Sequence, residues 1–238
     1  MEWFILTVVS FVASTLSGIA GFGGALVLLP FLTYFIGIKA AIPVLTVAQV
    51  YGNLSRAAFG WREIQWRAVG LFILGAVPAA WLGSYLMSVM PALFISRMVG
   101  ILLIGLVIWR RIKKYPPPMP LGMMGIGGAF SGFLSGMSGV GGPVAATFFF
   151  SLELPAGAYV ASEAMTAVFT HFTKTIIYGK YELITIEGII RGSLLGIVMI
   201  AGSWTGKRVI HRISRKHFLM VVEVLLIISG AYLLWNSF

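Results

Sequence analysis

The chain has no cysteine. Disulfides, thiolate catalysis and cysteine-ligated metals are therefore excluded. Aspartate is also missing, so Glu2, Glu63, Glu153, Glu163, Glu182, Glu187 and Glu223 supply all of the acid. Histidine is nearly as scarce, with only His171, His211 and His217 available as metal ligands. No Walker-type Gly-x-x-x-x-Gly-Lys-Ser/Thr and no His-Glu-x-x-His run occurs. Charge of either sign is sparse. Lys, Arg and Glu together make up 10% of 238 residues, against roughly 25% in a soluble domain. Such a chain has no water-facing surface large enough to keep it dissolved.

What fills the sequence instead is apolar. Hydrophobic residues reach 59% and the mean hydropathy is +0.97, so lipid must solvate the exterior. The basic excess, 17 Lys and Arg against 7 acids, does not indicate a nucleic-acid partner. Its members sit in short loops between apolar runs, as the positive-inside rule places them. The first apolar stretch starts at Trp3 with Glu2 ahead of it and no basic region, so no cleavable signal peptide is expected. The loops are too short for a soluble domain, and 1–238 reads as a single membrane domain.

A membrane-spanning helix needs about 20 apolar residues. Apolar stretches run over 3–37, 40–59, 67–88, 95–109, 119–150, 157–178, 188–206 and 218–236. Six have the length of one helix. The other two, 3–37 and 119–150, are too long, and glycine clusters interrupt both. These are Ser17-Gly18-Ile19-Ala20-Gly21-Phe22-Gly23-Gly24 and Ser135-Gly136-Met137-Ser138-Gly139-Val140-Gly141-Gly142. Glycine costs a helix interior about 1 kcal/mol relative to alanine, so four in eight residues should break it. Pro143 suits the first position of a new helix. Each long stretch is expected to form two half-helices of about 14 residues, roughly 21 Å each. That falls short of the ~30 Å hydrocarbon core. A re-entrant hairpin with its tip near the midplane is therefore expected. Trp3, Trp61, Trp66, Trp109 and Trp235 near segment ends read as the interfacial aromatic belt.

The two clusters lie 118 residues apart, and the same offset carries Asn53-Leu54-Ser55-Arg56 onto His171-Phe172-Thr173-Lys174. With small slips, Gly60-Trp61-Arg62-Glu63-Ile64 aligns with Gly179-Lys180-Tyr181-Glu182-Leu183, Arg67 with Arg191, and Trp81-Leu82-Gly83 with Trp204-Thr205-Gly206. Ordered matches of this kind indicate a duplication: a first repeat over 1–114 and a second over 119–238. The basic loops Arg110, Arg111, Lys113, Lys114 and Lys207, Arg208, Arg212, Arg215, Lys216 should both be cytoplasmic. The crossings between them must then be even in number, which holds if 119–150 returns to its own side. Each repeat becomes one hairpin plus three spans, so the second copy is inverted and both termini are non-cytoplasmic. The fold class is an all-α polytopic membrane protein of two inverted repeats, in which a transporter's site lies near the midplane.

Half-helix N-termini inside a membrane offer backbone N–H groups and partial positive charge to an anion. Gly21, Gly23, Gly24, Gly139, Gly141 and Gly142 are the candidates, with tight helix packing as the alternative. Gln49, Asn53 and Arg56 fall at i, i+4 and i+7 on one helix face, as do Glu163, His171 and Lys174 at i, i+8 and i+11. Ionisable groups inside a membrane mark function by default. The alternative is that Arg56 and Lys174 snorkel to the interface. If they face a wet cavity instead, neither should matter much to folding. Glu163, and with it His171, is a candidate for proton coupling; Glu163 could equally pair with Lys174 or Arg56. Arg97 and Glu223 read as interfacial or structural. The Gly60/Glu63 and Gly179/Glu182 corners read as loop geometry.

Two copies of a Ser-Gly-x-x-Gly-x-Gly-Gly turn, each followed by an apolar helix and a polar helix ending in a Gly-x-x-Glu corner, resemble the TauE/SafE family of sulfite and organosulfur-anion exporters. The resemblance covers nearly the whole chain. The family's glycine motifs carry over onto Gly21, Gly23, Gly24 and Gly139, Gly141, Gly142. The resemblance implies export of a small oxyanion such as sulfite, a sulfonate or a sulfoacetate-like compound. The function expected is that of a secondary transporter in the cell inner (plasma) membrane, working by alternating access on an ion gradient, of protons or sodium, or on the membrane potential, and without a cofactor. An anion channel is the alternative; a membrane-embedded enzyme lacks the residues it would need.

Overall fold

The computed structural model describes residues 1–112 and 119–209, and in the last segment residues 223–224, 227–228 and 230–235. The basic positions Lys113, Lys114, Arg212, Arg215 and Lys216, together with His211, His217 and much of the expected 218–236 span, lie outside the described residues. So do the side chains of Trp109, Arg110 and Arg111.

The apolar stretches become helices. The first long stretch forms α1 (Glu2–Ala20) and α2 (Gly24–Ile36). It is followed by α3 (Ile38–Phe59), α4 (Trp66–Val89) and α5 (Ala92–Ile112). The second long stretch forms α6 (Met124–Ser138) and α7 (Gly142–Phe150), followed by α8 (Ala156–Lys180) and α9 (Ile186–Val209). Among the described residues there is no β-strand. Helices α1, α4 and α9 are each long and apolar enough to cross a membrane. The polarity is inside out: Phe4, Leu74, Ile101, Phe130 and Ile176 are exposed, while Arg56, Glu163, His171 and Lys174 are buried. Only an apolar solvent suits that exterior.

Both glycine clusters break the helix, and Pro143 sits in the first turn of α7. The arms are less even than expected, at 19 and 13 residues in the first pair and 15 and 9 in the second. The break falls at the first glycine that goes left-handed, Gly21 or Gly139, rather than at the middle of the apolar run. Helix α1 also starts as early as Glu2. Helix α7 ends early in a turn around Glu153, whose φ of 52° stops any helix.

Small residues set the packing. Glycines 125, 128, 132 and 136 form a ladder along α6 that faces α4. A Cβ on Gly128, Gly132 or Gly136 would collide with the carbonyl oxygens of Phe72, Ala76 or Ala80. Helices α1 and α9 meet in the same way, with Gly18 against Ser203 and Gly206, and Gly202 against Ser14. Without side chains between them the backbones approach closely, which is how helices associate when lipid offers no hydrophobic drive.

Contacts also fix direction. The Arg191 guanidinium lies 4.7 Å from the Trp3 ring at one end of the α1–α9 pair, and Gly18 meets Gly206 at the other; the two helices run parallel. Helix α3 runs the same way, since Val44 faces Gly188 and Tyr51 faces Gly196. Helix α8 runs against α3, with Ala161 facing Gly60. Helix α4 runs with α8, and the Gln65 N–H donates to Ser162 Oγ at 2.9 Å. At one end of the bundle Lys207 Nζ donates to the Phe59 carbonyl at 2.6 Å. At the other, Lys39 Nζ donates to the carbonyls of Met87 and Ser88 at 2.7 and 3.1 Å. The α1–α2 pair begins and ends on the Lys39 side, and α6–α7 begins and ends on the Lys207 side. The pairings have counterparts: α1 packs on α9 as α6 packs on α4, and α3 packs on α9 as α8 packs on α4.

Candidate functional site

The two helix breaks are built alike. Gly21, at φ 80°, donates its N–H to the Ser17 carbonyl at 2.8 Å. Gly139, at φ 78°, donates to the Ser135 carbonyl at 2.9 Å. A left-handed glycine closes each first arm, where any other residue would be strained. The likeness ends two residues later. Gly23 is left-handed at φ 109°, whereas Gly141 has φ −102°. Gly141 is needed for contact instead, because a Cβ there would collide with the Ser131 carbonyl oxygen. Ser131 Oγ donates to the Gly141 carbonyl at 3.0 Å and ties the turn back to α6.

The polar stripe of α3 reaches the first turn. Arg56 Nη1 donates to the carbonyls of Ser17 and Gly21 at 3.1 and 2.6 Å, and Nη2 donates to Asn53 Oδ1. Asn53 Nδ2 in turn donates to the Gln49 carbonyl at 2.7 Å. The guanidinium therefore caps the C-terminus of α1, where the unpaired carbonyls and the helix dipole favour a cation. From α8, Lys174 approaches the second turn without capping it: its Nζ donates to Ser135 Oγ at 3.4 Å, a hydroxyl and not a carbonyl. Ser17 and Ser135 lie 118 residues apart, as Arg56 and Lys174 do. Neither cation extends to the protein surface, with Arg56 7% and Lys174 0% exposed. Glu163 Oε2 stands 3.8 Å from Arg56 Nη1, so of the two pairings open to Glu163 the structure makes the one with Arg56.

Between the two turns lies a narrow cavity. It offers about 50 Å³ to the centres of water-sized spheres, against about 10–15 Å³ for one water. Its wall includes Gly23, Gly24, Gly139, Gly141, Gly142, Gln49, Asn53, Arg56, Glu163 and His171. The candidates drawn from four separate helices and two turns thus converge on one space. Two stand just behind it: Gly21 presents its carbonyl to Arg56, and Lys174 reaches the wall through Ser135. Three side-chain atoms on the wall make no hydrogen bond, namely Gln49 Nε2, Glu163 Oε2 and His171 Nδ1. Glu163 Oε2 keeps its ion pair with Arg56; a buried polar group without any partner costs roughly 1–3 kcal/mol, so Gln49 and His171 on one wall point to a polar occupant.

Sequence reasoning missed Ser17, Ser131, Ser135, Thr166, Thr170, Phe22 and Phe72 on the same wall. The signal for the serines was present, since Ser17 and Ser135 open the two glycine motifs. Thr166 and Thr170 continue the Glu163–His171 face of α8. Arg97 and Glu223 are not part of the wall. The Glu63 carboxylate packs against Gly157 in the first turn of α8, where a negative charge suits the helix dipole. Glu182 adopts φ 56° in its turn.

Comparison with known proteins agrees with this architecture. The family described as "Sulfite exporter TauE/SafE" matches residues 6–233. The probable membrane transporter protein YunE of Bacillus subtilis (strain 168) is 21% identical over 100% of this chain and 99% of its own. A probable membrane transporter protein of Xylella fastidiosa (strain Temecula1) is 26% identical over 92% of this chain and 90% of its own. No solved structure matches the chain. With a match that spans nearly every described helix and both glycine turns, the chain belongs to the TauE/SafE sulfite exporter family.

Proposed function

We propose that the chain is a secondary transporter that carries a small anion, sulfite or an organosulfonate, across the plasma membrane by alternating access, with export the favoured direction. The observation that carries this reading is the cavity between the two turns, walled by Arg56, Asn53 and Gln49 and by three buried polar atoms without hydrogen bonds. Its size fits an ion of a few heavy atoms and favours sulfite over the larger sulfonates. The substrate class is supported by the description of the family.

In this reading the repeats 1–114 and 119–238 are inverted, and α1–α2 and α6–α7 are re-entrant hairpins. The antiparallel run of α3 against α8 and the return of each pair to its own end support both points. Positive-inside placement makes the Lys207 end cytoplasmic and both termini non-cytoplasmic. Single cysteines at Ser88 and Pro116 in this cysteine-free chain should label from opposite sides, with Pro116 cytoplasmic. A cytoplasmic C-terminal reporter signal would overturn the inversion.

Glu163 supplies the coupling. Ionised, it neutralises Arg56; protonated, it leaves Arg56 without a counter-ion and an anion takes that place. Proton and anion then move in the same direction, so export is driven by the outward anion gradient and the usual inward proton gradient opposes it. In proteoliposomes, sulfite flux should rise when the imposed proton gradient runs in the direction of sulfite movement. Glu163→Gln should keep anion exchange but lose at least tenfold of the gradient-driven flux. Unchanged gradient-driven flux in that variant would remove Glu163 from the coupling. Unitary conductance in a planar bilayer would replace the transporter by a channel.

A further inference from the structure

A second cavity, of about 250 Å³, opens at the Lys207 end of the bundle. Its wall includes Gly18, Arg56, Gly60, Val160 and Lys207. Arg56 lines both cavities, so its side chain is the wall that the two spaces share. The repeat relation says what should stand at the opposite end, and the structure departs from it there. Tyr178 stands four residues beyond Lys174 on α8, as Gly60 stands four beyond Arg56; with the one-residue slip of the corner alignment its match is Phe59, which is half-buried on the vestibule wall, whereas Tyr178 is fully buried. Gly136 is likewise the counterpart of Gly18, which lines the vestibule. The Tyr178 hydroxyl donates to the Gly136 carbonyl, so the equivalent of the vestibule is filled. Tyr178 is fully buried, and its ring centre lies 6.0 Å from Lys174 Nζ, between that cation and the α8 C-terminus.

We propose that in this conformation the polar cavity is reached from the Lys207 end through the Arg56 vestibule, and that Tyr178 is the gate that closes the Lys39 end. This rests on the reading of the central cavity as the transport site. It adds which end is open and which residue seals the other. Moving the site to the opposite side then requires the Tyr178–Gly136 hydrogen bond to break and the ring to leave its place over Lys174.

The chain contains no cysteine, so one introduced thiol reports access without background. Ala167 lines the central cavity, and Ala167→Cys places a thiol there. Arg62→Cys and Lys180→Cys, both at exposed positions, mark the Lys207 and Lys39 ends. The measurement is the labelling rate with a membrane-impermeant thiosulfonate, added from either side of the membrane. Ala167→Cys should label at least tenfold faster from the side that labels Arg62→Cys than from the side that labels Lys180→Cys. Adding Tyr178→Ala should raise the slow rate at least tenfold, and Val160→Trp, which fills the vestibule, should lower the fast one. Tyr178→Phe keeps the ring and loses only the hydrogen bond, so it should give a smaller rise while preserving the packing. The gate is overturned if Ala167→Cys labels equally from both sides with Tyr178 intact. It is also overturned if neither Tyr178 variant changes labelling from the Lys180 side in protein that melts like the parent. Sulfite flux in the same vesicles separates the two ideas. One-sided labelling without flux leaves the gate standing and sinks the transport reading, whereas flux with two-sided labelling does the reverse.

Discussion

Arg56→Gln is expected to lower stability by about 3–5 kcal/mol, the usual cost of removing one partner of a buried pair. The guanidinium holds three acceptors, the carbonyls of Ser17 and Gly21 and the Asn53 side chain. It is also the charge nearest Glu163. Glutamine is too short to reach the end of α1 and carries no charge, so the carboxylate is left alone in a buried place. The matching change at Lys174 should cost less, since its ammonium meets only Ser135 Oγ, at the long distance of 3.4 Å. Thermal melting of the purified protein checks the order: Arg56→Gln lowest, Lys174→Gln nearer the parent. The double variant Arg56→Gln with Glu163→Gln should recover part of the loss, because no unpaired charge remains. An Arg56→Gln protein that melts like the parent would show that the guanidinium does not hold α1 in place.

That expectation reverses one drawn from sequence. A cation facing a wet cavity can be removed cheaply, and nothing in the spacing of Gln49, Asn53 and Arg56 shows where the guanidinium goes. Periodicity reports which residues share a face of one helix. It does not report which carbonyls of a distant turn that face meets. Helix limits were legible because glycine, proline and the apolar runs act locally. The helices expected over 40–59, 67–88, 95–109, 157–178 and 188–206, and in both arms of each long run, all form, nine among the described residues. The unequal arms were not legible, since they depend on where φ turns positive within a cluster of four glycines.

The convergence of the site was half legible. The repeat offset singled out Arg56 with Lys174 and Asn53 with His171 because duplication preserves place. It could not separate positions that fill the same place differently. Phe59 and Tyr178 are one such pair, half-buried and fully buried, and Gly23 and Gly141 are another, with opposite signs of φ. The shared offset led to the residues around one cavity, while the proposed gate rests on where the matched positions differ. Those departures appear only once both copies are folded against each other.

The glycines of the second turn should divide into one that holds the structure and one that faces the ligand. Gly23→Ala and Gly141→Ala, which add only one methyl each, would not be gentle probes of anion contact. Gly23 has φ 109°, where a side chain is strained. A methyl on Gly141 would collide with the Ser131 carbonyl, which belongs to the backbone of α6 and cannot move aside cheaply. Gly141→Ala should therefore lose roughly 1–3 kcal/mol of stability, the range for overpacking a tight interior. Gly142 differs. It begins α7 and lines the cavity, and its added methyl would find Phe22 Cβ at 3.5 Å and Glu163 Oε1 at 4.0 Å, ordinary contacts. Gly142→Ala should melt at or slightly above the parent temperature, since alanine is the better helix former. The same methyl takes space from a cavity that holds only a few waters. Anion affinity should fall about tenfold, or about 1.4 kcal/mol. Thermal-shift titration with sulfite reads both quantities in one experiment, the midpoint without ligand and the concentration dependence of its rise. Were Gly142→Ala to bind sulfite as the parent does, the cavity between the turns would not be the anion's place. The two turns would then serve to pack α6 and α7, and Arg56 would be a helix cap and nothing more.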